Sequence, residues 1–218
     1  MTLIIGARCS DGVVIAADRR RMSKHEKGPS TTKLFKLSCG AVLAGAGDTS
    51  VLFEARTLID RRVAELQKEK PLSALIEVVE IAAGVVNELV NCYRDTIEES
   101  FGFVLGGLEN LDSGTAKIYT VFGGGFSDEP SVCLGSGSSY ARPLVELLLA
   151  DGKLRTDEAV KTLPTTFTLV SNVQLSIGDG INVCVIKDNA GSGSITQERE
   201  VALDELRKAI LDVLDIKH

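Results

Sequence analysis

Thr2, Asp18 and Lys33 are the residues of this sequence whose types and spacing could carry chemistry. A threonine hydroxyl is a weak nucleophile until a base accepts its proton, and an α-amino group, with a pKa of about 8, can be that base. This requires threonine at the first position of the mature chain, which Met1-Thr2 provides once the initiator methionine is removed ahead of a small residue. Asp18, in ADRR, falls at the end of the second predicted strand, where it neighbours the first residues of the paired first strand. Lys33, in TTKLFKL, opens the third. Taken singly, each has a blander reading: Met-Thr starts many chains, and Asp18 with Lys33 can be a surface ion pair.

Competing chemistries fare worse. A Ser-His-Asp or Cys-His site needs a histidine within reach of the nucleophile. Here His25 lies in a polar loop and His218 is the last residue. GAGD at Gly45–Asp48 lacks the Lys-Ser/Thr of a phosphate-binding loop, and GGG at Gly123–Gly125 follows a strand without opening a helix, so both read as turns. Five scattered cysteines, with neither CxxC nor a Cys/His cluster, predict reduced, buried thiols and neither metal nor cofactor.

The elements that must position these side chains follow from periodicity. Thr2–Cys9 and Gly12–Ala17 read as a hairpin turning at Ser10-Asp11, and Leu34–Leu37 and Ala41–Ala44 as the next two strands. Residues 48–70 place Leu52, Ala55, Leu58, Ile59, Val63 and Leu66 on one helical face, with Asp48 as N-cap. A second helix opens at Pro71 and Ser73 and runs to about Cys92. Strands return at Phe103–Leu108, Ala116–Phe122 and Ser131–Leu134. Helices then start near Ser138 or Ser139 and near Thr156, read as the N-cap of its helix, which is expected to kink or end at Pro164. Strands at Ile181–Ile186 and Ser194–Glu198 and a helix over Val201–Leu214 close the chain. Strands grouped in this way predict antiparallel sheets, and the order fits an α+β fold, a four-layer αββα sandwich.

Length and composition agree with one domain over residues 1–218: 44% of residues are hydrophobic and 25% charged. A net charge of −6, without a basic run interleaved with aromatics, argues against nucleic acid or an anionic membrane as partner. MTLIIGARCSDG has no signal-peptide pattern and no apolar run spans a bilayer, so the expected location is the cytoplasm.

Five blocks in order, T-x-x-x-G from Thr2, DGVVIAADRR, KLFKL, LAGAGD and LGSGS, resemble the β-type subunits of the proteasome, in the amino-terminal nucleophile hydrolase superfamily. The resemblance runs over nearly the whole chain. It implies that Thr2 is the nucleophile and its free amine the general base. Lys33 would lower the hydroxyl pKa, Asp18 would orient that lysine, and the Gly45 N–H would serve as oxyanion-hole donor. Ser136 would bond near the amine, and Arg20 would be structural. Arg21, Thr31, Phe35, Leu43 and Gly47 match positions at or near the specificity pocket; a roomy pocket floored by Leu43 would accept apolar or uncharged side chains, whereas Arg21 would favour acidic ones. Late in the chain, Ser176 matches a supporting serine, whereas Val173 or Gln174 stands where relatives carry an aspartate.

The activity implied is a threonine endopeptidase acting on unfolded proteins or peptides inside a chamber of stacked rings. Its partners would be other copies of the chain and possible α-type subunits and an ATP-dependent unfoldase. The α-type amino-terminal extension is lacking, and Met1 alone precedes the threonine, as in the simpler bacterial relative. Two other readings stay open: a non-catalytic ring subunit that keeps Met1, and a relative that transfers acyl groups between peptides.

Overall fold

A computed structural model of the chain describes residues 2–23, 26–28, 30–70, 72–93, 101–111, 113–149, 152–189 and 199–201. β1 (Ile4–Cys9) and β2 (Gly12–Asp18) form the predicted hairpin, Cys9 opposite Gly12. Both strands are buried on both faces, which explains their unbroken apolar runs. Ile5, Val14 and Ala16 face a helical layer, and Ile4, Val13, Ile15 and Ala17 face a second sheet. A short ribbon, β3 (Met22–Ser23) with β4 (Glu26–Lys27), replaces part of the expected polar loop.

β5 (Leu34–Lys36) and β6 (Val42–Ala46) lead into α1 (Thr49–Glu69). Asp48 caps that helix as predicted, its carboxylate accepting from Ser50 N at 2.8 Å and Val51 N at 3.2 Å. α2 (Leu75–Cys92) begins later than the Pro71–Ser73 signal suggests, because the Glu77 carboxylate accepts the Ser73 and Ala74 N–H groups and fixes the start there. β7 (Gly102–Asn110), β8 (Ser113–Phe122), β9 (Gly125–Asp128) and β10 (Ser131–Leu134) follow, β9 being a strand the sequence reading missed.

α3 (Ser138–Leu148) and α4 (Thr156–Val173) complete the described helices. Arg155, not Thr156, occupies the cap position of α4, and the Thr156 N–H is taken by the Asp11 carboxylate at 2.7 Å. α4 also runs through Pro164 instead of ending there. The lost backbone bond and ring clash cost about 3 kcal/mol, but Leu163, Phe167 and Val170 are essentially fully buried at roughly 1.5–3 kcal/mol each. Packing therefore overrides the helix breaker. β11 (Ile181–Lys187) and β12 (Arg199–Val201) come last, with Val201 in a strand instead of opening a helix. The expected strand at Ser194–Glu198, the rest of the closing helix, and both histidines lie outside the described residues.

Two five-stranded antiparallel sheets result, ordered β10-β1-β2-β11-β12 and β5-β6-β7-β8-β9. Their facing sides share one apolar core, α3 and α4 cover the first sheet, and α1 and α2 cover the second. This is the αββα sandwich predicted from the element order. No disulfide joins the cysteines; Cys9, Cys133 and Cys184 are buried as expected, Cys39 is half-buried and Cys92 is exposed. Among the described residues no His/Cys/Asp/Glu group could hold a metal, and no helix is long and apolar enough to cross a membrane.

Candidate active site

Thr2 enters the first sheet just ahead of β1. Continuing the alternation from Ile4, it faces the gap between the sheets. Its backbone is held on both sides by the loop between β10 and α3. Thr2 N–H donates to Ser136 Oγ at 3.2 Å, while Thr2 C=O accepts from Gly137 N at 3.3 Å and Ser136 Oγ at 3.4 Å. Gly135 makes this approach possible. It sits at φ +95°, and a Cβ there would lie 2.2 Å from Thr2 O. Gly135→Ala should therefore cost roughly 2–4 kcal/mol, from left-handed backbone strain plus overpacking. Chemical denaturation checks this, and a change below about 0.5 kcal/mol would show that the loop moves aside freely.

Asp18 ends β2 and is completely buried. Its Oδ1 accepts Leu3 N–H at 2.8 Å and Lys33 Nζ at 2.8 Å, and its Oδ2 accepts Arg20 N–H at 3.2 Å. Lys33 Nζ also donates to Arg20 C=O at 2.8 Å. Burial pushes the Asp18 carboxyl up and the Lys33 ammonium down, each toward its neutral form. The charge of the partner and the bond between them oppose that drift, and so, for Lys33, does the charge of Asp179. The two residues expected to act together are thus joined in a buried ion pair instead of a solvated surface one.

Asp179 is a member of this arrangement that the sequence reading did not single out. It sits at φ 61° within Gly178-Asp179-Gly180, and its Oδ1 accepts from Arg20 Nη2 at 3.0 Å and Nε at 3.3 Å. Arg20 also donates to Leu175 C=O, and the Arg19 and Arg20 N–H groups donate to Gly178 C=O. Arg20 thereby clamps the 175–180 segment against the end of β2, the structural role expected of it. Val173, where an aspartate was looked for, is exposed at the end of α4, and Gln174 caps that helix. Ser176 is buried, and its Oγ has no hydrogen-bond partner among the described residues.

In front of Thr2 opens a cavity of about 410 Å³. Seven of the predicted site residues line it, Thr2, Arg21, Thr31, Lys33, Phe35, Gly45 and Gly47, together with Arg20. The ladder pairs Leu34 with Ala44, so its register, continued by one residue, sets Lys33 opposite Gly45. Gly45 has a second constraint: a Cβ there would meet Phe103 and Leu52 side chains at 2.7 and 2.9 Å, so packing as well as approach requires glycine.

Leu43 is a correction. It shares the face of Gly45, two residues along β6, but is wholly buried among α1 and α2 side chains and does not line the cavity. The wall comes instead from α1, where Thr49, Leu52, Phe53 and Arg56 form one stripe at i, i+3, i+4 and i+7. Of these four, the apolar periodicity of the sequence singles out Leu52 alone, as a core residue.

A family profile described as "Proteasome subunit" matches residues 2–186. A proteasome subunit beta of Archaeoglobus fulgidus is 26% identical over 212 residues, covering 95% of each chain. A proteasome subunit alpha of Methanococcus maripaludis is 26% identical over 216 residues, covering 98% of this chain and 79% of that one. Among solved structures, Anbu from Yersinia bercovieri, described as an ancestral beta-subunit, superposes with a TM-score of 0.80 at 18% identity, over 98% of this chain and 94% of that chain. At such identity the likeness speaks for the fold.

Proposed function

Because the chain belongs to the proteasome subunit family, we propose that it is a β-type threonine endopeptidase acting as a single domain over residues 1–218, with Thr2 as nucleophile after loss of Met1. The observation that carries this reading is the buried Lys33–Asp18 pair beside the cavity that Thr2 and Lys33 both line. A positive charge there stabilises developing alkoxide character on the threonine.

In the proposed reaction the Thr2 amine accepts the proton of its own hydroxyl through a water, and Oγ1 bonds to the substrate carbonyl carbon. Negative charge on the carbonyl oxygen is met by the Gly45 N–H. Collapse breaks the C–N bond as the ammonium returns a proton to the leaving amine, giving an ester on Thr2. Water then attacks that ester, its proton passes to the same amine, and the acid is released with the threonine restored. Ser136, bonded to Thr2 N, orients the amine, and Ser176 lies on the segment held by Arg20. No step calls on a metal or cofactor. The substrates are unfolded chains or peptides, met in the cytoplasm inside rings of this chain with or without α-type subunits and fed by an ATP-dependent unfoldase.

A second reading, a non-catalytic ring subunit retaining Met1, draws support from the alpha-named relatives, which are as similar as the beta-named ones. Intact mass and product analysis on the purified chain separate the readings. Loss of Met1 with hydrolysed peptide products is expected. Retained Met1 without turnover would establish the structural reading, and ligated products would establish acyl transfer between peptides.

A further inference from the structure

We infer that the cavity beside Thr2 selects an acidic side chain, and that Arg56 on α1 is the residue that selects it. The inference rests on the reading of this cavity as the substrate pocket. Arg56 lies over the Phe35 ring with its guanidinium carbon 4.0 Å from the centroid, and both residues line the cavity. Stacking on an aromatic face holds the planar guanidinium while leaving its N–H edge available for two parallel bonds to a carboxylate. Arg21 adds a second cation at the exposed rim, and among the described residues no acidic side chain lines the cavity.

The acidic side chains nearest Arg56 in sequence are engaged elsewhere. Asp48 caps α1, Glu54 accepts from the Tyr93 hydroxyl at 2.7 Å, and Asp60 accepts Ser38 N–H at 2.8 Å. Neither Arg56 nor Arg21 has an ion-pair partner among the described residues. Lys33, paired with Asp18, acts at short range on Thr2, and the pair as a whole adds little to the charge met farther along the cavity. Among the described residues the cavity lining therefore holds Arg21 and Arg56 with no carboxylate beside them, on an otherwise threonine and apolar wall, while Asp60, one turn along α1 from Arg56, borders only the adjoining depression. Phe53 and Arg56 also border an adjoining depression of about 390 Å³ along α1, so an extended substrate has room beyond the pocket.

The test uses the full chain in its assembled state and four peptides that differ only at the residue preceding the scissile bond: Glu, Gln, Leu or Lys. Glu is expected to exceed its neutral isostere Gln in kcat/KM by roughly tenfold or more, and Lys to be the poorest. Arg56→Gln should bring the Glu-to-Gln ratio close to one, and Arg56→Lys, which keeps charge without the planar fork, should restore only part of it. Binding of the same peptides to the Thr2→Ala chain, followed by fluorescence anisotropy, gives a readout that needs no hydrolysis. Discrimination in binding without turnover in the unsubstituted chain would sink the hydrolase reading and leave the acidic pocket standing. A Glu-to-Gln ratio near one, or a ratio that survives Arg56→Gln, overturns the proposal itself.

Discussion

Thr2→Ala is expected to reduce peptide hydrolysis by roughly 10⁴-fold or more while leaving the fold and its stability within about 1 kcal/mol of the unsubstituted chain. The two halves of this expectation come from different atoms. Thr2 is held through its backbone, by Ser136 and Gly137, and no hydrogen bond to its hydroxyl occurs among the described residues. Thr2→Ala thus deletes the nucleophile without deleting a hydrogen bond, and loses in packing one methyl group, worth about 0.8 kcal/mol. Thr2→Ser keeps an oxygen in place and should retain a measurable share of the rate. Single-turnover and steady-state assays on chains shown by intact mass to lack Met1 decide the matter. Equal turnover by Thr2→Ala would remove Thr2 from the chemistry altogether.

The contrast between what could and could not be read ahead follows from which interactions are local. The β1–β2 hairpin and the Asp48 cap rest on neighbours a few residues apart, so alternation and cap chemistry reveal them. The association of Asp18 with Lys33 was legible because the family blocks fix their spacing. Its burial was not, since that depends on Leu3, Arg20 and Asp179 converging from separate segments. Leu43 failed for a geometric reason. Alternation says that Leu43 and Gly45 share a face, but not whether that face looks at the helices or into the cleft. The helix does not end at Pro164, because the local cost is outweighed by side chains buried against β2 and β11. Asp179 hid in a Gly-Asp-Gly turn, where aspartate is ordinarily a turn residue, and its bond to Arg20 and its charge near Lys33 mark it as part of the site.

Lys33→Met should lower hydrolysis by at least about a hundredfold and also destabilise the protein by about 3–5 kcal/mol at neutral pH. Methionine keeps most of the stem's packing, so the loss isolates the charge. With the ammonium gone, the Asp18 carboxylate remains wholly buried and keeps only the Leu3 and Arg20 N–H donors. Burial already raises its pKa against the pull of Lys33, so the substitution raises it further. The sign of the pH dependence follows. A carboxyl whose folded pKa exceeds its unfolded value of 3.8 binds its proton more readily in the folded state, so stability in the variant rises as pH falls through that window. The deficit relative to the unsubstituted chain should be largest at neutral pH and shrink on acidification, whereas hydrolysis should not recover, because protonating Asp18 does not replace the missing charge beside Thr2. Denaturant midpoints across pH, read with turnover on the same samples, test both parts. A deficit independent of pH would assign the cost to packing around the stem, and undiminished turnover would refute the role given to Lys33.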